Sequence, residues 1–356
     1  MKLRRINPSR LYIGLISFLQ RHAVALIVVL MLFLVSIVSA KGLSILRKYN
    51  VRPGDLLNFF GPPKEKLDST NNVTSFLLLG IRGEGADSPN LSDTIIVFSY
   101  NHEKQAASLV SIPRDLWVPS LKARINTAYH YGEEASPGAG INLSQAAILE
   151  ITGLPVHYTA VIDFALFKDV IDLLGGIDIV NDVAFSDTEF PIPGRENAIP
   201  LSSRFETISF PAGQIHMDGD TALKFVRSRH STGESGTDFD RGKRQQIVIS
   251  ALKEKVLTPD FLLNEKKVSD LLDLINSRLR TNLKPELYPT LAKLAIDMQG
   301  KPIKNIVLSD RPDENGITIL YNPPVYQYAG QWVLIPKQNN WSALKQYIQN
   351  RLDGTQ

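Results

Sequence analysis

The longest apolar run in the chain is Ala23 to Ala40 (AVALIVVLMLFLVSIVSA), which holds no charged residue. A helix rises about 1.5 Å per residue, so this segment nearly spans a hydrocarbon core of about 30 Å. It is longer than the apolar stretch of about 7–15 residues in a signal peptide, which favours a retained anchor. The small residues in Ser36-Ile37-Val38-Ser39-Ala40 keep a cleaved leader open as a second reading. The shorter run Leu11 to Leu19 is separated from it by Gln20-Arg21-His22 and is not read as a second span. Residues 41–72 then lose periodicity. Arg52-Pro53-Gly54, Gly61-Pro62-Pro63 and Asp68-Ser69-Thr70-Asn71-Asn72 are turn formers, as in a juxtamembrane stalk.

Short apolar runs rich in β-formers follow. Ser75 to Leu79 and Thr94 to Tyr100 read as strands, and Asn101 to Lys104 is a turn leading into a strand over Ala106 to Ile112. Asn142 is placed to cap a helix over Leu143 to Thr152, closed by Gly153. Tyr158 to Ile162 reads as a strand. Asp163 can cap a helix from Phe164 to Leu174, and Ile177 to Val180 is another strand. Residues 184–210 hold Pro191, Pro193, Gly194 and Pro200 with little periodicity and read as an irregular excursion. Helices are predicted over Asp218 to Val226, Asp238 to Val256, Lys267 to Arg280 and Pro285 to Gln299. Late strands fit Ile303 to Leu308 and Trp332 to Ile335, and Asn340 can cap a last helix through Leu352. Strands alternating with helices, opened by a hairpin, predict an α/β sandwich on a mixed sheet.

Composition adds exclusions. With 356 residues, 44% hydrophobic and 21% charged, the chain is neither disordered, collagenous nor multi-spanning. It has no cysteine, which removes disulfides, Cys-zinc sites and thiol nucleophiles. Lys2, Arg4, Arg5, Arg10 and Arg21 precede the apolar run without an acid, and without these five the net charge of +3 becomes −2. Basic residues before the run and only Lys41 directly after it predict a cytoplasmic N-terminus and an extracytoplasmic body. The near-neutral body, with no helix-turn-helix, argues against a nucleic-acid partner. No His-Glu-x-x-His, Gly-x-Ser-x-Gly or Walker motif is present. Gly80, Gly83 and Gly85 follow a strand without a helix behind them, a weak phosphate signal, and His216 and His230 read as structural.

Arginine carries the chemical signal. Arg227 and Arg229 flank Ser228 and would share a face if that stretch is extended. Arg241, Arg244, Gln245 and Val248 fall on one face of the helix that follows. Clustered guanidinium groups call for an anion, and their planar forks suit phosphate oxygens. Outside a membrane, where ATP is scarce, a pyrophosphate attached to a membrane lipid is the leading candidate. The hairpin should also bring Asp93, at the start of one strand, to Arg114, at the end of its partner. Beside a phosphate site such a carboxylate could hold Mg²⁺ or accept a proton.

In these segments the chain resembles the LytR–CpsA–Psr family of bacterial cell-wall glycopolymer ligases. The resemblance rests on Leu77-Leu78-Leu79-Gly80, Ser92-Asp93-Thr94, Ser111-Ile112-Pro113-Arg114-Asp115, Ile125-Asn126-Thr127-Ala128-Tyr129, Leu174-Gly175-Gly176-Ile177, Ala222 to His230 (ALKFVRSRH) and Asp240 to Gln246 (DRGKRQQ), in that order. Val333 to Trp341 (VLIPKQNNW) looks like the end of the same domain. The resemblance implies an α-β-α sandwich enclosing an apolar lipid tunnel. It further implies transfer of a glycopolymer phosphate from a polyprenyl-pyrophosphate carrier to a peptidoglycan hydroxyl, assisted by Mg²⁺. Asp93 matches the family's metal-associated aspartate; Arg114, Arg227, Arg229 and Arg241 match the pyrophosphate-clamping arginines, and Gln245 the glutamine beside them. Family members often carry an aspartate two residues after the Leu-Leu-Leu-Gly glycine. Here that place is Arg82, and Asp87 is the nearby carboxylate that could stand in as a metal ligand.

The expected organisation is a basic cytoplasmic tail (1–22), a single-pass anchor (23–40), a stalk (41–72) and an extracytoplasmic catalytic domain (73–352) on a bacterial cell membrane. Catalytic candidates are Asp93, Arg114 and Asp115; Asp115 could orient Arg114, or the base role could fall to Asp93 itself. Pyrophosphate-binding candidates are Arg227, Arg229, Arg241, Arg244 and Gln245. A polyprenyl-pyrophosphate phosphatase and a non-catalytic lipid-binding scaffold or sensor are the alternatives.

Overall fold

A three-stranded antiparallel meander forms the middle of the sheet in the computed structural model: β1 (Val73–Ile81), β2 (Ser92–Asn101) and β3 (Ala106–Ser111). The structure describes residues 61–354, apart from 64–65, 87, 193, 196, 229–237, 299–300 and 314. The expected tail, anchor and most of the stalk, together with Asp87, Arg229 and His230, lie outside the described residues. Among the described residues no helix is long and apolar enough to cross a membrane.

The β2–β3 turn forms as its sequence suggests. The Asn101 side-chain oxygen accepts from the backbone N–H groups of Glu103 and Lys104 at 3.0 and 2.9 Å. Helices α1 (Ala128–Ala135) and α2 (Ala139–Thr152) lead to β4 (Tyr158–Asp163), which lies parallel to β1. After α3 (Phe164–Leu173) come β5 (Ile177–Asn181), β6 (Phe185–Pro191), β7 (Phe205–Phe210) and β8 (Gly213–Met217). Then follow α4 (Gly219–Arg227), α5 (Asp238–Val256) and α6 (Glu265–Arg278). The chain re-enters the sheet as β9 (Arg280–Thr281), crosses α7 (Tyr288–Asp297), adds β10 (Ile303–Val307) and ends with α8 (Trp341–Asp353). The resulting six-stranded mixed sheet has the order β9-β4-β1-β2-β3-β10.

Alternation along the strands gives each face its own layer. Leu77, Leu79, Ile95 and Val97 pack with Ile148 and Ile151 of α2 and with Leu344 and Ile348 of α8. On the opposite face Phe76 and Phe98 pack against Leu294 of α7. A further apolar cluster joins β5–β8 to α4 and α5 through Ile177, Phe210, Met217, Phe225 and Val248. Packing reaches back into the stretch read as stalk: Leu67 is buried with Tyr100 and Tyr158, and the Asp68 backbone N–H donates to the Tyr158 hydroxyl at 2.8 Å.

Three expectations are corrected. The 184–210 excursion contains a strand pair, β6 with β7, whose inward side is set by Phe185, Asp187 and Phe190. A buried carboxylate and a β-bulge between Asp187 and Phe190 interrupt the alternation that would have revealed it. Helix α2 starts at Ala139, behind Gly138 at φ 84°, so Asn142 lies inside the helix rather than at its cap. Helix α1 escaped notice because it is short; a Cβ on its Gly132 would lie 2.5 Å from the Gly140 Cα of α2, so the two helices cross with only hydrogen between them. The late strand expected over Trp332 to Ile335 is reduced to Ile335–Pro336, paired with Leu320–Tyr321. Asp163 and Asn340 cap α3 and α8 as expected, accepting from Leu166 N–H at 2.7 Å and Ala343 N–H at 2.9 Å.

One polar cluster fastens α8. Asp313 accepts from the Tyr347 hydroxyl at 2.7 Å, from the Arg351 guanidinium, and from the backbone N–H groups of Asn315 and Ile317. Burial pushes the Asp313 carboxyl up, but these hydrogen bonds outweigh it and bring its pKa down from 3.8 to about 2. A depressed carboxylate pKa contributes stability above the unfolded value and loses it as pH falls through the folded value. Asp313→Asn should therefore melt below the wild type at neutral pH. The gap between their Tm values should narrow as the pH is taken from 3.8 towards 2 in a calorimetric series.

A candidate anion-binding cavity

The cavity lies over the sheet face that carries Leu78, Gly80 and Ile96, roofed by residues of α3, α4 and α5, and encloses about 190 Å³. Its apolar lining includes Leu78, Ile96, Phe164, Leu223, Val226 and Val248. Arg82, Asp93, Arg114, Arg227 and Arg241 add charge to its wall. Gly80 is required where it stands, because a Cβ there would come within 2.8 Å of the Thr94 Cβ on the paired strand.

The hairpin brings its two ends together. Arg114 Nη1 donates to Asp93 Oδ1 at 2.5 Å, and Arg82 Nε donates to Asp93 Oδ2 at 3.1 Å. Burial raises the Asp93 pKa, yet the charges of Arg114 and Arg82 prevail and hold it below the ordinary carboxylate value, so it stays ionised. Asp115 is placed differently from a group facing substrate. It is buried outside the cavity lining, 3.4 Å from Arg114 Nε and 3.1 Å from Arg124 Nη1. It braces Arg114 from behind, which is the orienting half of the expectation for it.

Arg227 is the last residue of α4, so the extended stretch supposed around it is a helix end instead. Its guanidinium carbon lies 4.5 Å from the Phe164 ring centroid and 5.2 Å from that of Phe190. Among the described residues no carboxylate or carbonyl accepts a hydrogen bond from it. Burial pulls its pKa down, Asp93 partly offsets this, and Arg82 adds to it. An arginine remains charged regardless. A cation is thus held by two ring faces with its N–H groups open to the cavity.

Helix α5 contributes Arg241 and Gln245, and Gln245 Nε2 donates to Thr94 Oγ1 at 2.9 Å. It can lie this close to the sheet because Gly242 faces β10: a Cβ there would be 3.1 Å from Val307 Cγ1. Arg244 is separated from the group. It donates to the Ser228 carbonyl at 2.6 Å and stacks 4.7 Å from the Phe185 ring centroid. It stands three residues after Arg241, about 60° round the helix from it, which turns it away from the cavity.

Sequence reasoning passed over Asp187, Phe164 and Phe190. Asp187 is buried in the cavity wall and accepts from Ser228 Oγ at 2.8 Å, so β6 pins the residue after Arg227. The bulge in β6 brings Phe190 to the same side as Phe185 and Asp187, under the arginines. The signal available was an acid between aromatic residues (FSDTEF) in the supposed loop.

The metal expectation finds one described carboxylate, Asp93, with both oxygens engaged by guanidinium groups. Among the described residues no group of three His, Asp or Glu side chains could hold a metal ion. Mg²⁺ demands near-octahedral oxygen ligation. The described residues by themselves therefore do not fit a resident Mg²⁺ ion; Asp87, the second expected ligand, lies outside them.

The sequence profile of the LytR_cpsA_psr family matches residues 58–345. The polyisoprenyl-teichoic acid–peptidoglycan teichoic acid transferase TagU of Bacillus cereus is 30% identical over 219 residues, 60% of this chain and 62% of that protein. The protein of the same name from Enterococcus faecalis is 26% identical over 245 residues, 67% of this chain and 70% of that one. The chain thus spans less than two thirds of the length of the Bacillus relative. Among solved structures, Bacillus subtilis TagV aligns with TM-score 0.55 at 22% identity, over 80% of this chain and 99% of that one. TagT bound to LIIa-WTA aligns with TM-score 0.53 at 23% identity, over 83% and 93%. These likenesses show a shared fold.

Arg244, which is buried, and Arg227, which is half-buried, should respond oppositely to truncation. Arg244→Ala removes a partner from a buried carbonyl and should cost about 1–3 kcal/mol, seen as a lower Tm. Arg227→Ala removes a partly desolvated cation with no acidic partner among the described residues, so its Tm should match or exceed that of the wild type. Differential scanning calorimetry of both variants decides the assignment.

Proposed function

Because the chain belongs to the LytR–CpsA–Psr family, we propose that it is a transferase acting outside the cytoplasmic membrane. It moves a glycopolymer phosphate from a polyprenyl-pyrophosphate carrier to a peptidoglycan hydroxyl. The observation that carries this reading is Arg227, a cation held between Phe164 and Phe190 with no acidic partner among the described residues. Such an arrangement is costly until an anion arrives. The apolar lining of the same cavity suits a lipid chain, since each buried CH₂ is worth about 0.8 kcal/mol. The apolar segment 23–40 would tether the domain to the membrane that supplies this lipid.

In the proposed reaction the acceptor hydroxyl oxygen bonds to the phosphorus that carries the glycopolymer. The bond from that phosphorus to the bridging oxygen breaks, and polyprenyl phosphate leaves with the electron pair. Phosphoryl transfer of this kind is mostly positioning and charge stabilisation, with little demand for a strong base. Arg114, Arg227 and Arg241 would stabilise charge on the phosphate oxygens. Arg229, matched by resemblance, would join them. The acceptor proton would pass to Asp93, the ionised carboxylate at the cavity. Asp115 and Arg244 act through Arg114 and Ser228. No step is assigned to Mg²⁺.

The deciding assay supplies a polyprenyl-pyrophosphate sugar with and without peptidoglycan and follows release of polyprenyl phosphate. Release that depends on peptidoglycan supports transfer. Release without it identifies a phosphatase, and bound lipid without release identifies a scaffold. Arg227→Ala should lower the transfer rate about 10²–10³-fold. Lysine should restore little, because a point charge does not reproduce the planar fork.

A further inference from the structure

We propose that Arg82 is a built-in cation in the place where a divalent metal would otherwise bridge Asp93 to a bound phosphate, so that this chain grips pyrophosphate without Mg²⁺. The inference rests on the anion-site reading above.

A bridging metal has two jobs: it neutralises a carboxylate on one side and draws in phosphate oxygens on the other. Arg82 is built for both. Its Nε is spent on Asp93 Oδ2 at 3.1 Å. Its two terminal amino groups have no acceptor among the described residues. The side chain is 39% exposed at the cavity wall, so those N–H groups are open to an incoming anion. A guanidinium that gives one edge to a carboxylate and another to a phosphate reproduces the carboxylate–cation–phosphate order.

Among the described residues, the rest of the wall leaves little for a dication. Asp163 caps α3 through Leu166 N–H and lies 3.6 Å from Arg278. Asp187 is held by Ser228 Oγ and the Glu189 N–H. Asp93 has its second oxygen on Arg114 at 2.5 Å. A Mg²⁺ ion would have to displace a guanidinium from Asp93 and then sit beside the same positive charges. As a plain ion pair, a bond involving so exposed an arginine would contribute little to stability. That frees Arg82 to be judged by ligand binding.

The test is calorimetric titration of inorganic pyrophosphate into the full chain in detergent, in EDTA and in excess Mg²⁺. Wild type should bind in EDTA about as tightly as in Mg²⁺. Arg82→Ala and the bulkier Arg82→Gln, with Tm unchanged, should bind about tenfold or more weakly in EDTA, the loss of one charge-assisted contact. Mg²⁺ should return most of that affinity to both variants, because Asp93 then has a free oxygen to offer. Wild-type binding that needs Mg²⁺ overturns the inference and leaves the anion site standing. Variants that bind as well as wild type in EDTA also overturn it. Wild type that binds no pyrophosphate in either condition overturns the anion site itself, and this inference with it.

Discussion

The site is organised around guanidinium groups held partly out of bulk water, of which Arg227 has no acidic partner among the described residues. Placing a guanidinium in a partly buried cavity is unfavourable unless something compensates it. For Arg227 the compensation is two aromatic faces. For Arg114 it is a pair of carboxylates, Asp93 towards the cavity and Asp115 behind. The difference sets their roles. Arg114 is fixed by ion pairs, whereas Arg227 keeps its donors open, and an open buried donor is what an anionic ligand can exploit.

The surrounding architecture serves that arrangement. The close pairing of β1 with β2 at Gly80 and Thr94 leaves room above the sheet for a cavity. The β2–β3 hairpin returns Arg114 to Asp93. Helix α5 comes close at Gly242 and crosses its polar side chains onto the sheet, where Gln245 reaches Thr94 and Gln246 reaches Ser111 at 2.9 Å each. Strand β6 supports the other side, with Phe185 under Arg244, Asp187 on Ser228 and Phe190 under Arg227. Because these contacts come from distant parts of the chain, a substitution in β6 acts on the arginines without touching a ligand.

Membership of the LytR–CpsA–Psr family and the geometry of the cavity point the same way, though they rest on different grounds. Family membership comes from ordered segments spread over residues 58–345. The cavity would suggest an anion with an apolar tail even in a chain of unfamiliar sequence, because guanidinium groups and apolar side chains line it together. The departure at Arg82 is where this chain's own chemistry differs from what the resemblance implies.

The sequence by itself determined many of the local elements and some of the residues that cap them. The β2–β3 turn, the caps at Asp163 and Asn340 and the alternation of β1 to β3 were legible because each depends on neighbours a few residues away. The meeting of Asp93 with Arg114 was legible too, since a hairpin closes a short loop. What required the tertiary structure was every contact across the fold. The aromatic cradle of Arg227 joins residues 164, 190 and 227, and no spacing rule relates them. The β6 strand was hidden because a bulge and a buried Asp187 break its period. Arg244 and Asp115 looked like members of the site by sequence position. The helix angle and the burial of Asp115 turned them into supports, because packing decides which side of a residue meets the cavity.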